Sequence, residues 1–247
     1  GKNTATRNAD AFVDDSTTWV SSFNDPLCTP RALGRKLKQS AQTWEQLLSG
    51  SGGSLQLSKC FFYLMCWKWD SEGKPSLMTN AEMQVDILLK DTQSGTIESI
   101  KKKDCTEAHR TLGAWPSPSG NESTQLQVLK TKSERFTRII RSTKLSHIVA
   151  DVSYWMLYLP SMTYPLPSTS LSKKALDKVE SPAIRAVLNA SGYNSNFPRA
   201  VVYGPRRLGG MSSKRSPYTE QGVQTVSYTH LRTHETMANI VCSLLIE

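Results

Sequence analysis

Two carboxylates stand side by side in Phe12-Val13-Asp14-Asp15, between apolar flanks. Adjacent acids repel each other unless a turn, a cation or a metal makes the pairing useful. Ala11 and Val13 before the pair, and Thr18, Val20 and Phe23 after it, alternate loosely. The pattern predicts a β-hairpin with Asp14-Asp15-Ser16 at its tip. Such a tip presents both carboxylates together at an exposed edge. Mg2+ takes oxygen ligands and keeps several waters, and one or two carboxylates plus substrate phosphates make a common site for it. Two such ions about 3.5–4 Å apart can activate an attacking oxygen and stabilise a leaving one. Aspartate is also an ordinary turn residue, so the tetrapeptide by itself fits an acidic turn or a metal corner.

The second group of candidates is cationic. Lys132, Arg135, Arg138 and Arg141 recur every three residues, and Lys144 follows three further on. Phe136, Ile139 and Ile140 fall between them. On a helix this gives a basic face opposite an apolar one, which suits a nucleic-acid backbone or plain solvent. Arg206-Arg207, beside glycines in YGPRRLGG, form a smaller basic spot: an exposed loop or a phosphate contact. His230 and His234 in HLRTH stand four apart, with Cys242 downstream, a spacing that one helix face could offer to a metal. His109 and His147 have no evident serine or cysteine partner and are expected as surface or core histidines. No GxSxG, Walker loop or GxGxxG occurs.

These residues need elements to hold them. The 247 residues suffice for one large domain or two small ones, and 38% hydrophobic content can build a core. Thr29-Pro30 reads as an N-cap followed by the first helical residue. Leu33, Leu37, Ala41, Trp44, Leu47 and Leu48 then form one stripe of an amphipathic helix, which Gly50 is placed to end. The aromatic run LQLSKCFFYLMCWKW, 55–69, predicts a buried strand or tight pair, with Phe61–Trp69 in the core and Trp67 and Trp69 on one face. Residues 83–90 and 95–102 read as a hairpin through DTQSG, and 108–115 as a further strand. From Ser123 the period becomes helical. Further helices are expected at 146–158 and 169–190, separated by Pro160, Pro165 and Pro167, and a short strand inside the Gly/Pro-rich connection after Ala190. The fold class is α+β: a small antiparallel β part with one packed helix, 1–115, then a mostly helical region, 116–222.

Charge follows the same division. Up to Ile100 the chain carries ten lysines and arginines against eleven acids; beyond it, twenty against ten. The formal net charge is +9 and the pI near 9.3, which points to an anionic partner. Five scattered cysteines (28, 60, 66, 105, 242) without a CxxC predict free thiols in a reducing, intracellular compartment, cytoplasmic or nuclear. The longest apolar stretch contains Asp151, ends at Pro160 and is too short and polar to span a bilayer, so no membrane association is expected.

From the acidic pair onward, over roughly residues 10–222, the chain resembles retroelement reverse transcriptases. The pieces come in order: FVDD; the helix segment AQTWEQLL; SGGSLQLSKC, a Gly-containing segment ending near a lysine; AHRTLGAWPSPSGN, which leads from palm to thumb; the Gln-rich helix STQLQVLKTK; and FPRAVVYGPRRLGGM with a downstream EQG. The order is more specific than any single piece.

The resemblance implies an RNA-directed DNA polymerase, a nucleotidyltransferase using Mg2+ (or Mn2+), with an RNA template and a DNA primer as partners. Asp14 and Asp15 match the acidic tip and would bind the metal. Phe12 takes the position where tyrosine is usual, and with Val13 would lie near the incoming nucleotide and primer end. Lys59 matches the lysine that could give a proton to pyrophosphate. Lys132, Arg135, Arg138, Arg141 and Lys144 would lie along the template–primer backbone. One departure limits the match: the family needs a further carboxylate on an upstream strand, only thirteen residues precede Asp14, and Asp10 is too close along the chain to supply it. The chain is therefore expected to be a palm-and-thumb fragment, inactive alone. The other reading is a non-catalytic, basic nucleic-acid-binding module or decayed retroelement remnant. Residues 223–247 depart from the pattern abruptly, resemble translated sequencing-adapter read-through, and are expected to be non-native.

Overall fold

The first long helix begins where its cap residues dictate. Thr29 Oγ1 accepts a hydrogen bond from the Ala32 amide at 3.3 Å, and Pro30 follows at a position that needs no amide donor. The helix, α1, spans Pro30–Gly50. It ends at Ser51, whose amide donates to the Leu47 carbonyl, and Gly52 then takes φ +85°. Leu33, Leu37 and Ala41 of its stripe are buried, Trp44 and Leu48 pack at the margin, and Leu47 is 62% exposed.

The computed structural model describes residues 9–12, 15–22, 29–208, 217 and 243–246. The fold is α+β, in two compact units: residues 1–107 with 236–247, and residues 108–235. The first unit holds α1 and the strands β1 (Ala9–Phe12), β2 (Asp15–Trp19), β3 (Phe61–Tyr63), β4 (Trp67–Trp69), β5 (Pro75–Leu77), β6 (Ile87–Lys90), β7 (Ile97–Lys103) and β8 (Ser243–Ile246). A one-turn helix, α2 (Asn80–Met83), precedes β6. The main sheet has the order β1-β2-β8-β3-β7-β6, and β4 and β5 form a separate two-stranded sheet.

Two expectations change here. The sheet is mixed, because β3 and β7 run parallel; β4, β5, α2 and β6 lie between them in sequence and supply the crossover that parallel neighbours require. The aromatic run divides: Phe61–Leu64 is buried, whereas Trp67, Lys68 and Trp69 are exposed. Ser243–Ile246, from the tail, pairs antiparallel with both β2 and β3. The β6–β7 hairpin forms as expected, and α1 clamps its turn: Glu45, buried, accepts from the Thr92 amide at 2.9 Å and the Thr92 hydroxyl at 2.5 Å. Gln42 bonds both the amide and the carbonyl of Lys90.

The second unit is helical: α3 (Ser123–Ser142), α4 (His147–Ser153), α5 (Leu159–Thr163), α6 (Lys173–Ala190) and α7 (Arg199–Tyr203). Pro160 does not separate helices. Residues 154–158 form a π-helical turn between α4 and α5, in which the Leu159 amide donates to the Tyr154 carbonyl five residues back. The widened turn relieves the contact between a proline ring and the preceding turn, so the helical path continues through Pro160. The segment after Ala190 contains the short helix α7 rather than a strand. Residues 108–115 are a loop with one bridge, Thr111 to Ala114, because Leu112 and Gly113 both take positive φ. This loop is held within the second unit: the Tyr164 hydroxyl donates to the Leu112 carbonyl at 2.6 Å, and the Trp115 amide to the buried Gln125 side chain at 2.8 Å.

Helices α3 and α6 pack closely because α3 turns small polar residues inward. Ser133 and Thr137 are buried beside Leu129 and Ile140. The Ser133 hydroxyl donates to the Val179 carbonyl at 2.6 Å, in the stretch of α6 interrupted by Pro182. Tyr154, Tyr158, Met162, Leu166 and Leu176 complete the core.

Candidate functional site

A hairpin is present around the acidic pair, but not with the expected tip: Asp15 and Ser16, read from sequence as part of the turn, are paired in β2. Phe12 pairs with Asp15, Ala11 with Ser16, Asp10 with Thr17 and Ala9 with Thr18, so Val13 and Asp14 are the two residues that connect the strands. Val13 and Asp14 themselves lie outside the described residues. The register fixes the faces. Ser16 and Thr18 are buried, and the Trp44 indole of α1 donates to Ser16 Oγ at 3.1 Å. Strand residues alternate faces, so the positions of Asp10, Phe12, Asp15 and Thr17 belong to the face that α1 leaves uncovered. Asp10 sits diagonally from Asp15 on that face, at a typical separation of about 7–8 Å.

Lys59 lies at the same end of the sheet as Asp15. Thr17 pairs with Leu245, Leu245 with Phe61, and Phe61 with Lys101. Asp15 is two residues before Thr17, and Lys59 two before Phe61, on chains running the same way. Two strand spacings, about 10 Å, separate β2 from β3. Lys59 closes the 3-10 turn Leu57–Lys59 and is exposed. The same register brings in two residues not singled out from sequence. Lys101 and Lys103 share the face opposite α1 with Phe61 and Tyr63, where only Lys101 of the four is exposed, while Phe62 and Leu64 point into the core against α1. The buried Lys103 ammonium lies 3.6 Å from the centre of the Phe61 ring. Burial, with Glu107 and Cys105 adding to it, pushes the Tyr63 phenol up to about 12. The signal was available: in Lys101-Lys102-Lys103, a strand must turn the first and third to one face and the second to the other. Lys102 accordingly donates to the Asn80 carbonyl at 3.2 Å.

The basic helix is less of a stripe than its spacing implies. A step of three residues slips by about 60° around a helix, so Lys132 and Arg141 face nearly opposite ways. All five cations are exposed, and Lys144 lies beyond the end of α3. Lys132 reaches the Ser161 carbonyl at 3.4 Å. Arg138 and Arg141 stay together, and with Glu134, Thr137, Ser142 and Pro182 they line a groove of about 550 Å³ between α3 and α6. Among the described residues, Arg135, Arg138, Arg141 and Lys144 form no ion pair.

A buried carboxylate in the helical unit was not foreseen. Glu180 accepts from the Tyr154 hydroxyl at 2.6 Å and the Tyr203 hydroxyl at 2.8 Å, both on Oε1. Burial raises its carboxyl above the ordinary value, partly offset by the two hydroxyls. Glu180 ties α7 to α6, and α7 leads into the 3-10 turn Arg206–Leu208, where Arg207 is exposed. No periodicity marked it, because a glutamate on a helix ordinarily faces water.

The remaining candidates are quieter. His147 opens α4 and is exposed; the half-buried His109 donates its amide to the Pro116 carbonyl. Cys60, Cys66 and Cys105 are free thiols, and burial, with Glu98 adding to it, pushes Cys60 up to about 11. His230, His234, Cys242 and Cys28 lie outside the described residues. Among the described residues no three His, Cys, Asp or Glu side chains are grouped to hold a metal, and no helix is long and apolar enough to cross a membrane. Set against known proteins, the chain matches no family model, no curated protein and no solved structure.

Proposed function

We propose that this chain is part of an RNA-directed DNA polymerase, with the acidic hairpin as one half of its nucleotidyl-transfer centre. The observation that supports this reading is the hairpin register. It leaves Val13-Asp14 as the connection, sets Asp15 at the strand end, and places that end on the sheet face α1 does not cover. Two neighbouring carboxylates are the oxygen donors that Mg2+ or Mn2+ accepts, and substrate phosphates would complete its shell. When bound, the metal would polarise phosphate oxygens and lower the pKa of the attacking hydroxyl. Asp14 and Asp15 would hold it. Phe12 and Val13 would border the nucleotide, and Lys59 would give its proton to the leaving pyrophosphate. The face opposite α1 adds the exposed Lys101, a cation on the side where a polyanion would lie. In this reading a further carboxylate comes from outside these residues.

The test is DNA synthesis on a primed RNA template with Mg2+ or Mn2+, by the chain joined to its upstream coding sequence. Asp14→Ala is expected to reduce synthesis by about a hundred- to a thousandfold, a loss of the order seen when one strong electrostatic group is removed from an active site. Template binding should remain intact. Normal template binding with no synthesis under either metal would sink the reading.

The exposed arginines of α3 favour a second reading, a non-catalytic nucleic-acid-binding module. It expects salt-sensitive binding to duplex or hybrid that ignores both Mg2+ and Asp14→Ala.

A further inference from the structure

The helical path from α4 through the π-helical turn to α5 shows an apolar face to solvent. Ala150, Tyr154, Tyr158 and Met162, each four residues after the last, are buried in the core of the helical unit. Ile148, Val152, Met156, Pro160 and Tyr164 follow the same step of four and are exposed, with Val149 and Leu157 beside them. In an α-helix a step of four drifts by about 40°. The wider turn at 154–158 takes that drift back, so the inner and outer rows both stay in line. Met156 is 71% exposed, Leu157 65% and Ile148 62%. From His147 to Thr163 the path is about 25 Å long. At its far end the Tyr164 hydroxyl holds the Leu112 carbonyl at 2.6 Å, and Leu112, exposed and at φ +48°, extends the apolar face.

Charge decides among the surfaces that could cover this face. Asp151 is the one acid between Lys144 and Tyr164; it is half-buried and accepts from the Ser191 hydroxyl at 3.3 Å. Cations stand around the face instead. Lys132 of α3 bonds the Ser161 carbonyl at 3.4 Å, Lys144 is exposed two residues before Ser146, the N-cap of α4, and Arg110 is exposed two residues before Leu112. Over residues 108–208 fourteen lysines and arginines stand against five acids. Two copies closed over this face would bring like charge together, which opposes their pairing. Isoleucine, valine, methionine and leucine offer bases no ring to stack on, so a nucleic acid gains little there. An anionic lipid surface meets both features: its acyl boundary takes the apolar side chains and its headgroups take the flanking cations. The segment is too short and polar to span a bilayer, but a helix lying along the interface needs only one apolar face.

We propose that the α4–α5 face, with Leu112, lies on the surface of a bilayer containing anionic phospholipid, and that Lys132, Lys144 and Arg110 contact its headgroups. The contact is peripheral: side chains enter the headgroup boundary and the backbone stays outside the hydrocarbon. It stands apart from the polymerase reading, because it uses neither the acidic hairpin nor Arg138 and Arg141.

The full chain is sedimented with vesicles of mixed phosphatidylcholine and phosphatidylserine and, separately, with vesicles of phosphatidylcholine alone. The parent is expected to partition onto the mixed vesicles at least about tenfold more strongly than onto the neutral ones. Met156→Gln/Leu157→Gln changes two exposed positions at little cost in helix propensity and should weaken that partition at least about tenfold. Met156→Leu/Leu157→Met keeps the face apolar and should stay within about twofold of the parent, which separates the apolar contact from misfolding. Equal partition of the parent and the glutamine variant overturns the proposal, since charge alone would then hold the chain to lipid. No partition of the parent onto mixed vesicles at low salt overturns it as well. So does a concentration-dependent mass, measured without lipid, that the glutamine variant abolishes, in favour of a second copy covering the face. Met156→Gln/Leu157→Gln should leave template binding and DNA synthesis unchanged, so either reading can fail without the other.

Discussion

At the scale of single residues, Glu180 has the clearest thermodynamic consequence. Its folded carboxyl is raised by burial, so the folded chain holds that proton more tightly than the unfolded one. The contribution is therefore fully present below the ordinary value of 4.5 and is lost as pH rises through the raised value. Glu180→Gln keeps an acceptor for Tyr154 and Tyr203 and removes the buried charge. Urea midpoints followed against pH should decline above 4.5 in the parent and lose that component of the slope in the variant. Glu180→Leu leaves both hydroxyls without their acceptor and should destabilise by about 1–3 kcal/mol for each. The acidic pair works by other physics. Its importance rests on a metal and phosphates, so Asp14→Ala is expected to affect synthesis far more than folding.

At the scale of elements, α1 decides which face of the sheet can do chemistry. It packs so closely on the loop before β6 that Gly34 has no room for a side chain. A Cβ there would lie 2.4 Å from Val85 Cγ1. Alanine would gain about 1 kcal/mol in helix propensity, but overpacking costs typically 1–3 kcal/mol. Gly34→Ala should lower the thermal midpoint, and adding Val85→Ala should recover part of that loss relative to Val85→Ala alone. If Gly34→Ala raises the midpoint, the packing described for α1 and Val85 is wrong. The π-helical turn at 154–158 has a comparable role in the helical unit. It carries the chain past Pro160 without breaking the path, and so keeps Tyr154 and Tyr158 stacked at 5.2 Å in the core.

At the scale of the whole molecule, charge is the lever. The excess of ten basic groups beyond Ile100 belongs mostly to the helical unit, where Arg138 and Arg141 share a groove. If each contacts one phosphate, Arg138→Gln/Arg141→Gln should make the slope of log affinity against log salt shallower by about 2 on duplex DNA. Filter binding over a salt series reads this directly. An unchanged slope would place the duplex contact elsewhere.

What the sequence determined by itself was local. Thr29, Pro30 and the Leu33–Leu48 stripe specify α1 almost residue by residue, because capping and helical period act within a few residues. The acidic hairpin and the β6–β7 hairpin were legible for the same reason, and with them the α+β class. Only the tertiary structure decided which faces are covered. The aromatic run promised a core strand, yet Trp67 and Trp69 ended outside because β4 pairs with β5 in a separate two-stranded ribbon instead of joining the main sheet. Lys101 joined the candidate site through ladder register, which links β2, β8, β3 and β7 from distant parts of the chain. Glu180 went inside because two tyrosines from other helices supply its hydrogen bonds. Each outcome depends on partners remote in sequence, and a period read along one segment carries no information about what will lie against it.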